Sequence, residues 1–261
     1  MNKPVIGGLR DRVSPEEWQT RLDLAACYRL FVHYRMTDMI YTHVTSRVPG
    51  TEDQILINPY GLMFDEITAS NLYKIDYDGN VILRPETEYD INRSGYRLHT
   101  ALHKARPDAA CVLHTHSLAT VTVSTMKCGL LPLTQPALRF FNRVSYTKYD
   151  AAGFDDHIQA QIIADLGQND VMLMHNHGTI VVGRSMAEAF NLLYNLEMSC
   201  LVQMHAMQSG TELVLVNERV AEETAMMLGP KGGTADGVMD GRREWSALRR
   251  MLDRKDPGYA D

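Results

Sequence analysis

The sequence predicts an α/β fold in which a mainly antiparallel sheet is flanked by helices, and three observations predict it. Short runs rich in β-branched residues crowd positions 39–83, two of them joined by an Asp-Gly turn at 78–79. Beyond residue 91, helix-like and strand-like stretches alternate. Near position 185 begins a long amphipathic stretch with room to lie across a sheet.

The elements follow in order. SPEE at 14–17 reads as a helix start, with Ser14 as N-cap, Pro15 in the first turn and Glu17 reaching back in a capping box. That helix runs to about Phe31. MIYTHVTSRV (39–48), QILIN (54–58) and the two halves of LYKIDYDGNVIL (72–83) are the extended runs of the antiparallel part. INRSGYRLHTALHKA (91–105) has helical spacing, and Pro107 ends it before the buried strand AACVLHTH. A short helix (117–126), a mixed region (130–150), a helix over 155–166 and the strand VMLMH (171–175) come next. In the long helix, Met186, Phe190, Leu193, Cys200, Met204 and Met207 recur at helical spacing. GPKGGTADGVMDGRRE (229–244) reads as a mobile loop, and WSALRRMLDR as a final helix.

Composition narrows the function. The chain has 261 residues, 45% of them hydrophobic, and carries a net charge of −6 with no basic cluster, which argues against a nucleic-acid partner. No apolar run approaches the roughly 18–20 residues of a membrane helix, and the amino terminus lacks the apolar core of a signal peptide, so a cytoplasmic location is expected. Cys27, Cys111, Cys128 and Cys200 are widely separated and read as small apolar core residues.

The stretch CVLHTHS (111–117) raises the chemical question. On a strand, His114 and His116 would point to one face roughly 7 Å apart, close enough for both rings to reach one cation. On a helix they would diverge by about 200°. A hydrogen-bonded pair at a strand end is the competing reading. His175-Asn176-His177-Gly178 repeats the pattern at the end of a second apolar run, and two such strand ends favour one shared three-histidine site, with one of His175 and His177 as the third ligand. His33, His43, His99, His103 and His157 lack ligand spacing and read as surface or cap residues. His205, one position off the apolar stripe of the long helix, is either a core-edge residue or a fourth ligand.

Taken together, THVTSRVPG (42–50), ILINPYGLMFDEITASNLYKIDYDGN (55–80), ARPDAACVLHTHS (105–117), MKCGLLPLTQPALRF (126–140) and HNHGTIVVGRSMAEAF (175–190) resemble the class II aldolase/adducin family, in its adducin-like bacterial branch. The resemblance spans about 18–208 of what reads as a single domain over 1–261, the remainder (209–261) being the C-terminal loop and helix. It implies a central sheet between helix layers in an α/β/α arrangement and a homotetramer with sites between subunits. It also implies a divalent metal, zinc first with manganese or iron as alternatives, on His114, His116 and His177.

One departure stands out. Aldolases of this family carry a glutamate, metal ligand and acid/base, where this chain has Gly95, and the serine pair before it is Arg93-Ser94 here. The loss weakens a sugar-phosphate aldolase reading. Arg93 and Ser94 instead suit a carboxylate, which an arginine grips with two parallel hydrogen bonds. Glu197 on the long helix is either a replacement acid or, the favoured reading, a structural partner of a backbone amide or an arginine, and a glutamate introduced at Gly95 is expected to reach the metal. Tyr60, Arg139 and Tyr259 are the other polar groups placed near the pocket, Tyr259 from a neighbouring subunit. The expected function is a metal-dependent lyase, of aldolase or decarboxylase type, on a small carboxylate-bearing substrate. A non-haem iron oxygenase and a non-catalytic adducin-like assembly domain are the alternatives.

Overall fold

Ser14 accepts a hydrogen bond from the Glu17 amide at 3.1 Å and opens α1, Pro15–His33. The box is only half built. Glu17 turns inward to Arg21 and Lys74 at 3.0 and 2.8 Å, because the buried Arg21 guanidinium needs a counter-charge more than the cap needs a second bond. The computed structural model describes residues 8–150, 155–229 and 240–261, without the Ser94 side chain. Most of the glycine-rich loop expected at 229–244 lies outside those residues.

After α1 come β1 (His43–Arg47), β2 (Gln54–Ile57), β3 (Tyr73–Asp76) and β4 (Val81–Leu83), the last two joined by the Asp-Gly turn. They are followed by α2 (Arg93–Ala105), β5 (Cys111–Thr115), α3 (Leu118–Ser124), α4 (Gln135–Leu138), β6 (Val144–Thr147), α5 (Asp156–Leu166), β7 (Val171–Met174) and β8 (Gly178–Gly183). Three helices, α6 (Met186–Gln208), α7 (Glu218–Leu228) and α8 (Arg242–Lys255), complete the described chain. The strands form one eight-stranded sheet in the order β4-β3-β2-β1-β5-β8-β7-β6, in which only β6 and β7 pair in parallel.

Alternation along the strands divides the core. Leu113, Leu173 and Val181 face α1, α3 and α6, whereas Val112, Met172, Ile180 and Val182 face Leu98 and Leu102 of α2 and Ile162 and Leu166 of α5. Helices therefore cover both faces, giving the α/β/α layering. Besides the short α4, which falls in the stretch read as loop and strand, two elements escaped sequence reading. GTIVVG of β8 is fully buried at mid-sheet and so shows no polar alternation to mark it as a strand. ERVAEETAMML forms α7, buried only along Ala221 and Ala225, a stripe too narrow to announce a helix. Cys128 is exposed, contrary to expectation, while the other three cysteines are buried.

The candidate metal centre

Register sets the site. His43 of β1 stands opposite His114 of β5, and His114 opposite Ile180 of β8, all near one end of the sheet. By alternation His114 projects toward α2 and α5, with Val112 below it. Gly178 begins β8 so close to β5 that a Cβ there would lie 2.4 Å from the Thr115 carbonyl oxygen and 2.8 Å from the His116 ring, so only glycine fits. Asn176, at φ 59°, turns the chain between β7 and β8. That turn sends the two flanking histidines apart. His175 stacks on Tyr146 and bonds the Ser124 carbonyl at 2.7 Å, while His177 joins His114 and His116.

The three rings bring one ligand nitrogen each within 4.8 Å of one another. Their hydrogen bonds fix the tautomers. His114 donates from Nδ1 to the Thr179 carbonyl at 3.0 Å, and His116 donates from Nδ1 to the Asp38 carboxylate at 2.9 Å. Both Nε2 atoms are then lone pairs, yet they lie 3.1 Å apart. Two lone pairs at that distance repel unless a cation or a shared proton sits between them. Burial pushes the His114 pKa well below its ordinary value and His177 down to about 4, so both rings are neutral at pH 7, the state in which imidazole binds metal. The donor set fits a borderline-soft divalent ion such as zinc or iron.

The cluster opens into a cavity of about 380 Å³ walled by Tyr41, Thr42, His43, Tyr60, Asn92, Gly95, Lys148 and Tyr149, with Leu98, Ile158, Ile162 and Met174 as its apolar part. An apolar cavity of about 500 Å³ between α6 and α8, lined by Tyr34, Phe190, Tyr194 and Trp245, gathers no comparable ligand set among the described residues. Chemistry rather than size singles out the histidine cavity.

The other expected site residues divide. Tyr60 lines the cavity as anticipated. Glu197 does not: its carboxylate accepts from the Ser117 hydroxyl and from the Ala119 and Thr120 amides at 2.8, 3.1 and 3.0 Å, satisfying the N-terminus of α3, where a negative charge is stabilised. Its burial has a structural cause. Arg139 bonds Asn191 and lines a different cavity. Tyr259 is buried in its own chain, accepting from Arg249 at 2.9 Å and donating to Asp253, not supplied to a neighbour's site. His205 is exposed on the last turn of α6, outside the cluster of His114, His116 and His177. Arg93 is exposed on the first turn of α2, beside Asn92 and Gly95, but does not itself line the cavity. The cation in the wall is Lys148, which sequence reasoning missed because it sits just past a short strand with no motif around it.

Three of the histidines read as surface residues are buried. His99 donates from Nδ1 to the Thr45 hydroxyl at 2.9 Å, Thr45 donates to His103 Nε2 at 2.9 Å, and His103 donates from Nδ1 to the Ala109 carbonyl at 3.1 Å. The carbonyl can only accept, which sets every direction in this chain. His43 packs on His99 with ring centroids 4.2 Å apart and fills the room beside Gly95, where a Cβ would come within 2.6 Å of its ring. Gly95 is therefore not a vacancy. An H-x-x-x-H spacing at 99 and 103, on the α2 face carrying Leu98 and Leu102, was the available signal for burial.

Comparison with known proteins agrees with this geometry. The family model of the class II aldolase and adducin N-terminal domain matches residues 22–204. The chain belongs to the class II aldolase/adducin family. A relative from Pseudomonas aeruginosa named as an aldolase class 2 protein is 42% identical over 95% of this chain and 94% of its own length. Rat alpha-adducin is 36% identical over 89% of this chain, which corresponds to 33% of the adducin. The crystal structure of an aldolase II superfamily protein from Pseudomonas syringae superposes with a TM-score of 0.91 at 42% identity, covering 98% of this chain and all of that one.

Proposed function

We propose that the protein is a metal-dependent lyase that cleaves a carbon–carbon bond in a small carboxylate-bearing substrate, with His114, His116 and His177 as ligands of a divalent ion, zinc in the first instance. The observation that carries the reading is the pair of Nε2 lone pairs held 3.1 Å apart by outer hydrogen bonds that commit both Nδ1 atoms. When bound, the ion would supply Lewis acidity toward a substrate carbonyl or carboxylate oxygen. Lys148 in the cavity wall would pair with the substrate carboxylate, and the Tyr60 hydroxyl would donate to an oxygen that gains charge. Leu98, Ile162 and Met174 would exclude water and so strengthen both interactions. With Gly95 carrying no side chain and Glu197 engaged elsewhere, neither expected acid stands in the cavity, and the carboxylate in its wall is that of Asp150.

The reading has the protein acting in the cytoplasm as a homotetramer without a nucleic-acid partner, and light scattering at micromolar concentration should return four times the 29.5 kDa chain mass. Likeness to alpha-adducin favours a second reading, a non-catalytic assembly domain. Metal content separates them. Protein purified without added metal should carry about one ion per chain, alanine at His114, His116 or His177 should abolish it, and alanine at His175 or His157 should not. Metal-free wild-type protein that takes up no zinc, manganese or iron on dialysis would favour the assembly reading. An iron-loaded form that consumes dioxygen with a hydroxyaromatic acid would instead make the site an oxygenase.

A further inference from the structure

The turn that enters β1 is strained in a way its surroundings do not require. Arg35, Met39 and Thr42 all have positive φ, at 57°, 46° and 72°, and none is glycine. For a β-branched residue such as Thr42 that conformation is a genuine outlier, of a kind that gathers at functional sites. Thr42 is also buried in the cavity wall, with its hydroxyl lacking a partner among the described residues. The turn is closed by the Tyr41 amide donating to the Asp38 carbonyl at 2.8 Å. Its effect is to carry the Asp38 carboxylate to His116, 78 positions away in sequence, where Oδ2 accepts from Nδ1 at 2.9 Å.

This contact does little for stability. The Asp38 side chain is 39% exposed and His116 25%, and pairs so open to solvent contribute on the order of 1 kcal/mol at most. What the contact does settle is the tautomer. A ring whose Nδ1 hydrogen is held by an acceptor keeps Nε2 free, and a carboxylate acceptor makes that nitrogen a stronger donor than a backbone carbonyl does. His114 has the weaker partner, the Thr179 carbonyl. His177 meets the other two from the turn between β7 and β8.

We propose that Asp38 is a positioning residue for the metal centre: its carboxylate holds the His116 ring with Nε2 directed at His114 and His177, and the strained turn over residues 35–42 serves to bring it there. The inference rests on the metal reading of the histidine cluster. It names a residue that no histidine motif contains and gives the backbone strain a purpose.

The test uses the full chain, stripped of metal and titrated with zinc against a chromophoric chelator, and separately with cobalt. Asp38→Ala should weaken zinc affinity about 10- to 100-fold and alter the cobalt ligand-field bands, while the urea midpoint of the metal-free protein stays as in wild type. Asp38→Asn, whose side-chain oxygen still accepts from Nδ1, should recover most of the affinity and the wild-type bands. Affinity of Asp38→Ala within twofold of wild type would overturn the proposal, as would a loss matched by equal destabilisation of the metal-free protein or an Asn variant as weak as the Ala variant. Wild-type protein that binds neither zinc nor cobalt would defeat the metal reading itself, whereas normal wild-type uptake with an indifferent Asp38→Ala defeats the Asp38 inference alone.

Discussion

Two groups of histidines lie side by side on the same face of the sheet and differ most tellingly in how their nitrogens are satisfied. In the inner group, His99, Thr45 and His103 form a directed chain that ends on the Ala109 carbonyl and leaves only His99 Nε2 without a partner. In the outer group, His114 and His116 have their Nδ1 atoms engaged and point two lone pairs at each other. The inner chain is a structural network directed onto a backbone carbonyl, with no two lone pairs facing each other. The outer cluster needs a positive charge to be finished. Residue type does not separate them; hydrogen-bond direction does, and so does exposure, since His99 and His103 are fully buried and His116 is 25% exposed.

The sharpest way to break the comparison is to remove one ring from each group. His103→Ala should cost about 2–4 kcal/mol in urea unfolding, since it opens a buried cavity and removes the acceptor of the Thr45 hydroxyl, yet leave zinc uptake near one ion per chain. His116→Ala should lose the ion and leave the metal-free protein as stable as before or more so, because it relieves the facing lone pairs. The distinction fails if both variants behave alike.

A smaller effect is expected at the seam between the groups. The sequence suggested that glutamate at Gly95 would reach the metal, but its Cβ would meet the His43 ring at 2.6 Å. Gly95→Glu should therefore destabilise by about 1–3 kcal/mol through overpacking, and His43→Ala in the same chain should recover part of that loss. Equal unfolding midpoints for Gly95→Glu and wild type would show that the ring moves aside freely.

Acid should act on the inner group in the metal-free protein. Burial lowers the His103 pKa from its ordinary 6.5 to about 3. Between those values the unfolded chain takes up a proton that the folded chain refuses, so stability is full above about pH 6.5 and falls as pH drops through the window toward 3. His103→Gln, with no proton to gain, should show a shallower fall in urea midpoint over that range, and parallel curves would refute the assignment. Least affected should be His205→Ala, exposed on α6, with unfolding within about 0.5 kcal/mol of wild type and unchanged zinc content.

By itself the sequence determined the elements whose signals are local. Ser14 and Pro15 announced α1, the Asp-Gly turn announced the β3–β4 hairpin, and an apolar run ending in H-x-H placed His114 on a strand. The family segments carried the layered fold and the ligand candidates, and choosing His177 over His175 needed only that resemblance. What tertiary structure decided was everything resting on distance between remote positions. Glu197 had to have a partner because it is a carboxylate on an apolar stripe, and only the packing of α6 against α3 decided between an arginine, a catalytic role and the backbone amides of a helix N-terminus that it meets. Arg139 and Tyr259 were drawn elsewhere by neighbours more than 50 and about ten positions away. Lys148 and His43 reach the cavity from a strand end and a cross-strand register, and Asp38 reaches His116 from a strained turn, none of which has a pattern in one dimension. Local propensity and periodicity are written along the chain, whereas the partner that satisfies a buried polar group is chosen only when the layers close.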